Sequence, residues 1–297
     1  MKHLHFLLLV VIAGMALTAT SCKSKPNNQP ITKDSVAVDN QEDTLAVDSI
    51  IYKEEPDSTL SSIIRVDYPI GDDSRAQAVR QFISQELAKQ SQNFASDGED
   101  GKKVNTYKGT LDKAQALVDF YGKANLKDLT ELRDELKQNM ESTSYMPCLS
   151  NELNIRKEGE TQRYITYHIS GYTYLGGAHG SAIDYSKNIS KLTGKVLTET
   201  VDTLKTKELQ PILRKGVISY INKYEQGAND KNLNSYLFIE NGIIPIPAIA
   251  PYLAPDGVHF IYQQYEIGPY AMGMIEFVVP YDKIKPYLTP EAKKLVE

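Results

Sequence analysis

Tryptophan is absent from this 297-residue chain, cysteine occurs twice, at Cys22 and Cys148, and histidine five times. Each shortage closes off a class of chemistry. Two cysteines at most allow one disulfide. If Cys22 is modified, Cys148 is the only thiol left and the fold must hold by packing alone. Cys148 follows Met146-Pro147 with no neighbouring histidine and reads as a small buried apolar residue rather than a nucleophile. Beyond the first 21 residues only His168, His179 and His259 remain, and no HxH or HExxH spacing joins them, so the three or four convergent ligands of a metal site are not in view. No GxSxG elbow, P-loop or dinucleotide fingerprint occurs. No basic run occurs either, and the formal charge is −5, which argues against nucleic acid as a partner.

Long hydrophobic runs are also missing. The apolar stretch from Phe6 to Leu17 falls short of the roughly 20 residues a spanning helix needs. Lys2 precedes it, and the small residues Ala19-Thr20-Ser21 stand directly before Cys22. Residues 1–21 therefore read as a signal peptide, and the segment resembles a bacterial lipoprotein signal with Cys22 as the lipidated residue and membrane anchor. Ala19 stands where such signals usually carry leucine, and a plain secretory signal is the rival reading. Residues 22–58, rich in Lys, Asn, Pro, Asp, Glu, Ser and Thr, show no sustained period and are expected to form a disordered tether.

What is abundant is tyrosine, 19 residues against 7 phenylalanines, which suits half-buried strands and wet binding faces. The spacing predicts a strand over 61–69, then a helix capped by Asp72, Asp73 or Ser74 with Val79, Phe82, Ile83 and Leu87 on one stripe. Gly98 to Gly109 is a charged loop. A helical run from Thr110, interrupted at Gly122–Asn125, continues to Met140. From Tyr145 to Leu175 the period changes to two, with Ile165, Tyr167 and Ile169 opposing a wetter face of Tyr164, Thr166, His168, Ser170, Tyr172 and Tyr174. A hairpin turning at Thr193-Gly194 follows, then an amphipathic helix over 206–225. Strands at 236–246, 258–266 and 274–281 precede short helices at 282–287 and 289–296. The class is α+β, a mixed, mainly antiparallel sheet packed with several helices, in two regions, 59–181 and 182–297.

Two segments stand out, Tyr172-Thr173-Tyr174-Leu175-Gly176-Gly177-Ala178-His179-Gly180 and Tyr265-Glu266-Ile267-Gly268-Pro269-Tyr270-Ala271-Met272-Gly273, with Asn188 and Leu192-Thr193-Gly194-Lys195 between them. Together they resemble a pair of adjoining bacterial families of unknown function that form the extracytoplasmic part of the lysozyme-sensing anti-sigma factor RsiV and a module of the peptidoglycan deacetylase PdaC. The likeness covers about residues 60–290. It implies an envelope protein, exposed to periplasm or cell exterior, that acts by binding a peptidoglycan fragment or a lysozyme-like protein. It carries over neither the sigma-binding segment nor the deacetylase domain.

Physically, Gly176, Gly177 and Gly180 let a strand end in a tight turn or make room for a neighbouring strand, or else form a ligand-binding loop. His179 and Glu266, if they converge, make a polar pocket or an acid/base pair. Alternatively Glu266 ties down loop amides while the tyrosines around it pack. The candidate ligand-binding residues are His179, Glu266, Tyr270, Tyr172 and Tyr174. No catalytic residue, metal or cofactor is assigned. A non-enzymatic binding module is the first expectation, a structural envelope lipoprotein the second, and an enzyme acting on cell-wall glycans or peptides through His179 and Glu266 the third.

Overall fold

An antiparallel hairpin opens the fold, β1 (Val47–Asp57) against β2 (Leu60–Pro69). The turn is fixed by Asp57, whose carboxylate accepts from the Thr59 N–H at 2.7 Å and meets Arg133 at 3.0 Å. The computed structural model describes residues 44–95, 105–139 and 146–297, so the proposed signal, Cys22, and Met140 and Tyr145 lie outside the described residues. Strand β1 corrects the expectation of a tether running to residue 58. It is an edge strand that buries only Tyr52 while most of its side chains stay in water, so its apolar pattern is too sparse to show a period.

Helix α1 (Ser74–Ala95) begins where Asp73 accepts from the Arg75 and Ala76 N–H groups at 2.9 Å, and its stripe of Val79, Phe82, Ile83 and Leu87 is buried as the spacing predicted. Helix α2 (Ala114–Asn139) runs unbroken through Gly122–Asn125, where the sequence suggested an interruption. Gly122 serves packing there, since a Cβ would overlap the Tyr52 ring of β1. Asn125 is buried with its amide accepting from Ser91 at 2.7 Å and donating to Asn151 at 3.0 Å.

The two helices form the crossover that brings β3 (Leu149–Glu160) parallel to β2, after which β4 (Tyr164–Tyr174) and β5 (Ser181–Ser190) follow antiparallel. The sheet order is β1-β2-β3-β4-β5. Its first core lies between this sheet and the helices, where Ile165, Tyr167 and Ile169 meet α1. Phe82 and Tyr167 are edge to face at 5.9 Å.

The second core collects α3 (Thr206–Tyr224) and a sheet in the order β6-β7-β8, formed by β6 (Tyr252–Ala254), β7 (Gly257–Tyr262) and β8 (Ile275–Val279). Helices α4 (Tyr281–Ile284) and α5 (Pro290–Val296) close it, with Thr289 capping α5. The strand expected over 236–246 is instead a series of turns, because Asn241 and Gly242 both take positive φ and Pro245 and Pro247 break any ladder. Tyr164 of β4 enters this second core and Thr166 is buried as well, so part of the face expected to be wet is covered. The boundary expected at 181/182 also moves. Strand β5 completes the first sheet, and the second core takes residues from Leu197 onward. Cys148 is exposed rather than buried, at the mouth of β3.

Strand β5 ends its sheet, yet little of its edge is open. Near Ser190 the chain doubles back, with Ser190 N–H donating to Lys195 O at 2.9 Å and Leu197 N–H to Asn188 O at 2.8 Å. Toward Ser181 the partners are side chains. Gln263 accepts from Asp184 N–H at 3.1 Å and donates to Asp184 O at 2.8 Å, and Gln264 accepts from Ala182 N–H at 3.1 Å. In the reverse sense the buried Asn188 amide pairs with both main-chain groups of Leu253 in β6, at 2.7 and 2.9 Å, and donates to Thr166 at 3.0 Å.

At the other end of the sheet Glu160, its side chain 4% exposed, meets Lys157 and Lys191 at 2.6 Å each and accepts from Leu45 N–H at 2.8 Å. Burial pushes its carboxyl up, but the two ammonium groups and the N–H outweigh this and hold it below the usual 4.5. A depressed carboxylate stabilises the fold above its unfolded-state pKa, and that stability is lost as pH falls through the folded-state value. Glu160→Gln should therefore cost about 3 kcal/mol at neutral pH. The gap from wild type should close as pH drops below 4.5, read by urea unfolding across pH. Asn188→Leu leaves the Leu253 N–H and C=O buried without a partner and should cost about 3 kcal/mol in the same assay.

Candidate binding site

The end of β4 and the loop after β7 bring the two glycine-rich segments together. The chain leaves β4 through Gly176, whose φ of +88° a residue with a side chain rarely adopts. Tyr174 donates back to Gly177 O at 3.0 Å and closes the turn. Gly180 lies beneath the Tyr172 ring, which a Cβ there would overlap. The glycines thus make the tight turn and the close approach their spacing suggested.

From the other side Glu266 organises the loop. One carboxylate oxygen accepts from Ala248 N–H at 2.6 Å and the other from Gln263 N–H at 2.7 Å. Gln263 is the residue that pairs with β5, so Glu266 fixes the loop to the strand edge. Between them Tyr265 is held at φ 65°, an uncommon conformation for a non-glycine residue, with its ring 55% exposed.

His179 stacks on Tyr270 with centroids 3.9 Å apart and rings inclined by 23°, while Tyr265 and Tyr270 lie 5.5 Å apart. Tyr270 donates to Gly180 O at 3.0 Å, and His179 Nδ1 lies 3.0 Å from the same carbonyl. A carbonyl only accepts, so Nδ1 carries the proton, and Nε2 is left to accept from the Tyr265 hydroxyl at 3.2 Å. Of the five residues singled out from sequence, His179 and Tyr270 stack, Tyr172 lies over the Gly180 that Tyr270 bonds, and Tyr174 holds the turn at Gly177. Glu266 contributes from below and makes no hydrogen bond to His179 among the described residues. The face offers stacked rings with hydroxyl and carbonyl edges, which suits a ligand having a flat apolar face and polar rim. No carboxylate among these five residues stands ready to move a proton, since both Glu266 oxygens serve main-chain amides.

A second polar cluster, absent from the sequence reading, lies between the two sheets. His168 Nδ1 is 3.2 Å from the Ser186 hydroxyl and its Nε2 3.6 Å from Asp184, a nominal serine–histidine–aspartate row. Ser186 is fully buried and donates to Glu158 at 2.7 Å, so no nucleophile faces outward. Burial pushes the Asp184 carboxyl above its usual range, with Glu276 and Glu158 adding to the rise and His168 opposing it. The signal for this cluster was the period of β4 and β5, which puts His168 on one face and Asp184 and Ser186 on one face. What sequence lacks is the register that pairs His168 with Ser186. Tyr265, Gln263 and Gln264 were missed because their roles depend on a loop conformation and a strand edge.

The arrangement is an α+β fold with two separate sheets joined at the β5 edge by side-chain amides, beside an aromatic face. Residues 205–282, the segment from the start of α3 to the start of α4, match the family described as protein of unknown function (DUF3298). No curated protein matches the chain. Among solved structures it is similar to a DUF3298 family member from Bacteroides fragilis, with TM-score 0.57 and 18% identity over 82% of this chain and 94% of that one. It is also similar to a DUF3298 family protein from Pseudomonas aeruginosa, with TM-score 0.53 and 14% identity over 84% and 97%. The shared property is the fold.

Glu266→Gln replaces an acceptor by a donor facing an N–H, so one main-chain amide loses its partner. The loss should be about 1–2 kcal/mol, with faster hydrogen exchange at Ala248 or Gln263 as the local readout.

Proposed function

We propose that this chain is a cell-envelope lipoprotein, anchored by lipid on Cys22, that binds a peptidoglycan fragment without converting it, with His179, Tyr265 and Tyr270 as the face that meets the sugar rings. The observation that carries the reading is the aromatic array itself, in which stacked rings are fixed by hydrogen bonds on their inner edges and left open on the outer side. Rigid aromatic surface with a polar rim binds a ring with little loss of side-chain freedom. The lipoprotein-like leader and the motifs that resemble the extracytoplasmic families of RsiV and PdaC support a ligand of the cell envelope. Engagement of Glu266 with two amides favours binding over acid/base catalysis.

A second reading takes a lysozyme-like protein as the ligand. It is favoured by the formal charge of −5, which would speed association with a basic partner and lose that effect as salt rises.

Calorimetric titration of the chain from residue 23 onward against soluble muropeptides and against hen lysozyme, at low and moderate salt, tests both. Saturable muropeptide binding that Tyr265→Ala weakens about tenfold or more, with the melting temperature little changed, is expected. Saturable, salt-sensitive lysozyme binding alone would replace the first reading by the second. No binding to either would overturn both and leave a structural role for the lipoprotein.

A further inference from the structure

Strand β8 is the end of its sheet and, unlike β5, its outer edge has no hydrogen-bond partner among the described residues. Among the described residues no main-chain hydrogen bond outside its pairing with β7 uses residues 275–279. A groove of about 460 Å³ runs along it. Five consecutive residues, Glu276 to Pro280, line this groove. A strand that showed a groove one face would contribute every second residue, so an unbroken run means that the main-chain edge itself faces the space. The opposite wall is α3, where Ile212, Gly216, Ser219 and Lys223 recur at helical spacing. The stripe is small in its middle and leaves width for side chains. Gly216 also admits the Phe277 ring, which a Cβ would overlap.

The lining is apolar at Phe277, Val279 and Pro211 and cationic at Lys215, Lys223 and Lys283. Lys215 and Lys223 have no carboxylate within ion-pair distance among the described residues, whereas Lys283 holds Asp282 at 2.9 Å. Glu276 is the one carboxylate of the lining, and its charge acts on Asp184 between the sheets. An edge strand facing a helix across a groove is the geometry that accepts an extended peptide as an added strand. Main-chain hydrogen bonds then supply affinity and the pockets between strand and helix supply selection.

We propose that the groove between α3 and β8 takes an extended peptide segment of a partner protein, with apolar residues alternating with carboxylates, as a fourth strand beside β8. The carboxylates, on the face turned to α3, meet Lys215 and Lys223, and the apolar residues between them pack on the opposite face beside the exposed Val278. This site is separate from the aromatic face and does not depend on it.

The probe is an end-blocked ten-residue peptide alternating valine with glutamate, added to the chain from residue 23 onward and followed by fluorescence anisotropy and amide hydrogen exchange. Saturable binding is expected, with slowed exchange at residues 276–279. The double substitution Lys215→Glu and Lys223→Glu should weaken binding about tenfold or more. Ser219→Phe, which fills the groove from an exposed helix position, should do the same without moving the thermal midpoint. A peptide with lysine in place of glutamate should not bind. The proposal is overturned if no saturation is reached, if binding leaves exchange at 276–279 unchanged, or if the lysine peptide binds equally. Protection of 276–279 that grows with protein concentration alone would also overturn it, by assigning the edge to a second copy of the chain.

Discussion

Side-chain amides stand where this fold has no strand to place, and the arrangement of its two sheets depends on them. Asn188 leaves β5 to pair with both main-chain groups of Leu253, and Gln263 returns the same pattern to Asp184. Each imitates one residue of a β-ladder. A carboxamide carries one acceptor and two donors on a planar group, as a peptide unit carries its own pair, so it can satisfy a strand edge at one point without continuing it. An edge left open inside the molecule would bury unpaired N–H and C=O groups at about 1–3 kcal/mol each. The amides avoid that cost without continuing the ladder.

The aromatic face follows from the same constraint. Because Gln263 is tied to β5, the residues after it must turn away at once, and Glu266 holds the turn by accepting from Gln263 and Ala248. Tyr265 takes up the strained backbone in between, and its ring is pushed outward beside His179. The strain at Tyr265, the charge of Glu266 and the proton position on His179 are thus parts of one mechanical unit. What the aromatic face presents to solvent is set by what seals the edge.

The helices and the middle strands were legible because their periods are strong. Val79, Phe82, Ile83 and Leu87 repeat at helical spacing, and Ile165, Tyr167 and Ile169 alternate. Strand β1 was hidden, since it buries one face sparsely and carries Lys53, Glu54, Glu55 and Pro56 at its far end, as edge strands do to discourage pairing. Gly122 looked like a helix break and is a contact, a difference that depends on Tyr52, 70 positions away. Residues 236–246 have the apolar content of a strand, but Asn241 and Gly242 turn the chain at positive φ and Pro245 cannot donate to a ladder. At the site, the glycines and His179 could be found because they are unusual neighbours. Gln263 and Asn188 are ordinary polar residues whose work is visible only beside the edge they cover.

The sealing of β5 also bears on how the chain comes to be folded. The first sheet is complete in sequence at Ser190, but its last edge is closed by residues 195–197, 253, 263 and 264. If the first sheet assembles as the chain emerges from its amino end, its border stays open until more than 70 further residues have followed. Through that interval a neighbouring nascent chain could dock on the border, and the hazard ends only when Gln263 and Gln264 arrive. The late glutamines act as a latch that ends a vulnerable period of biogenesis.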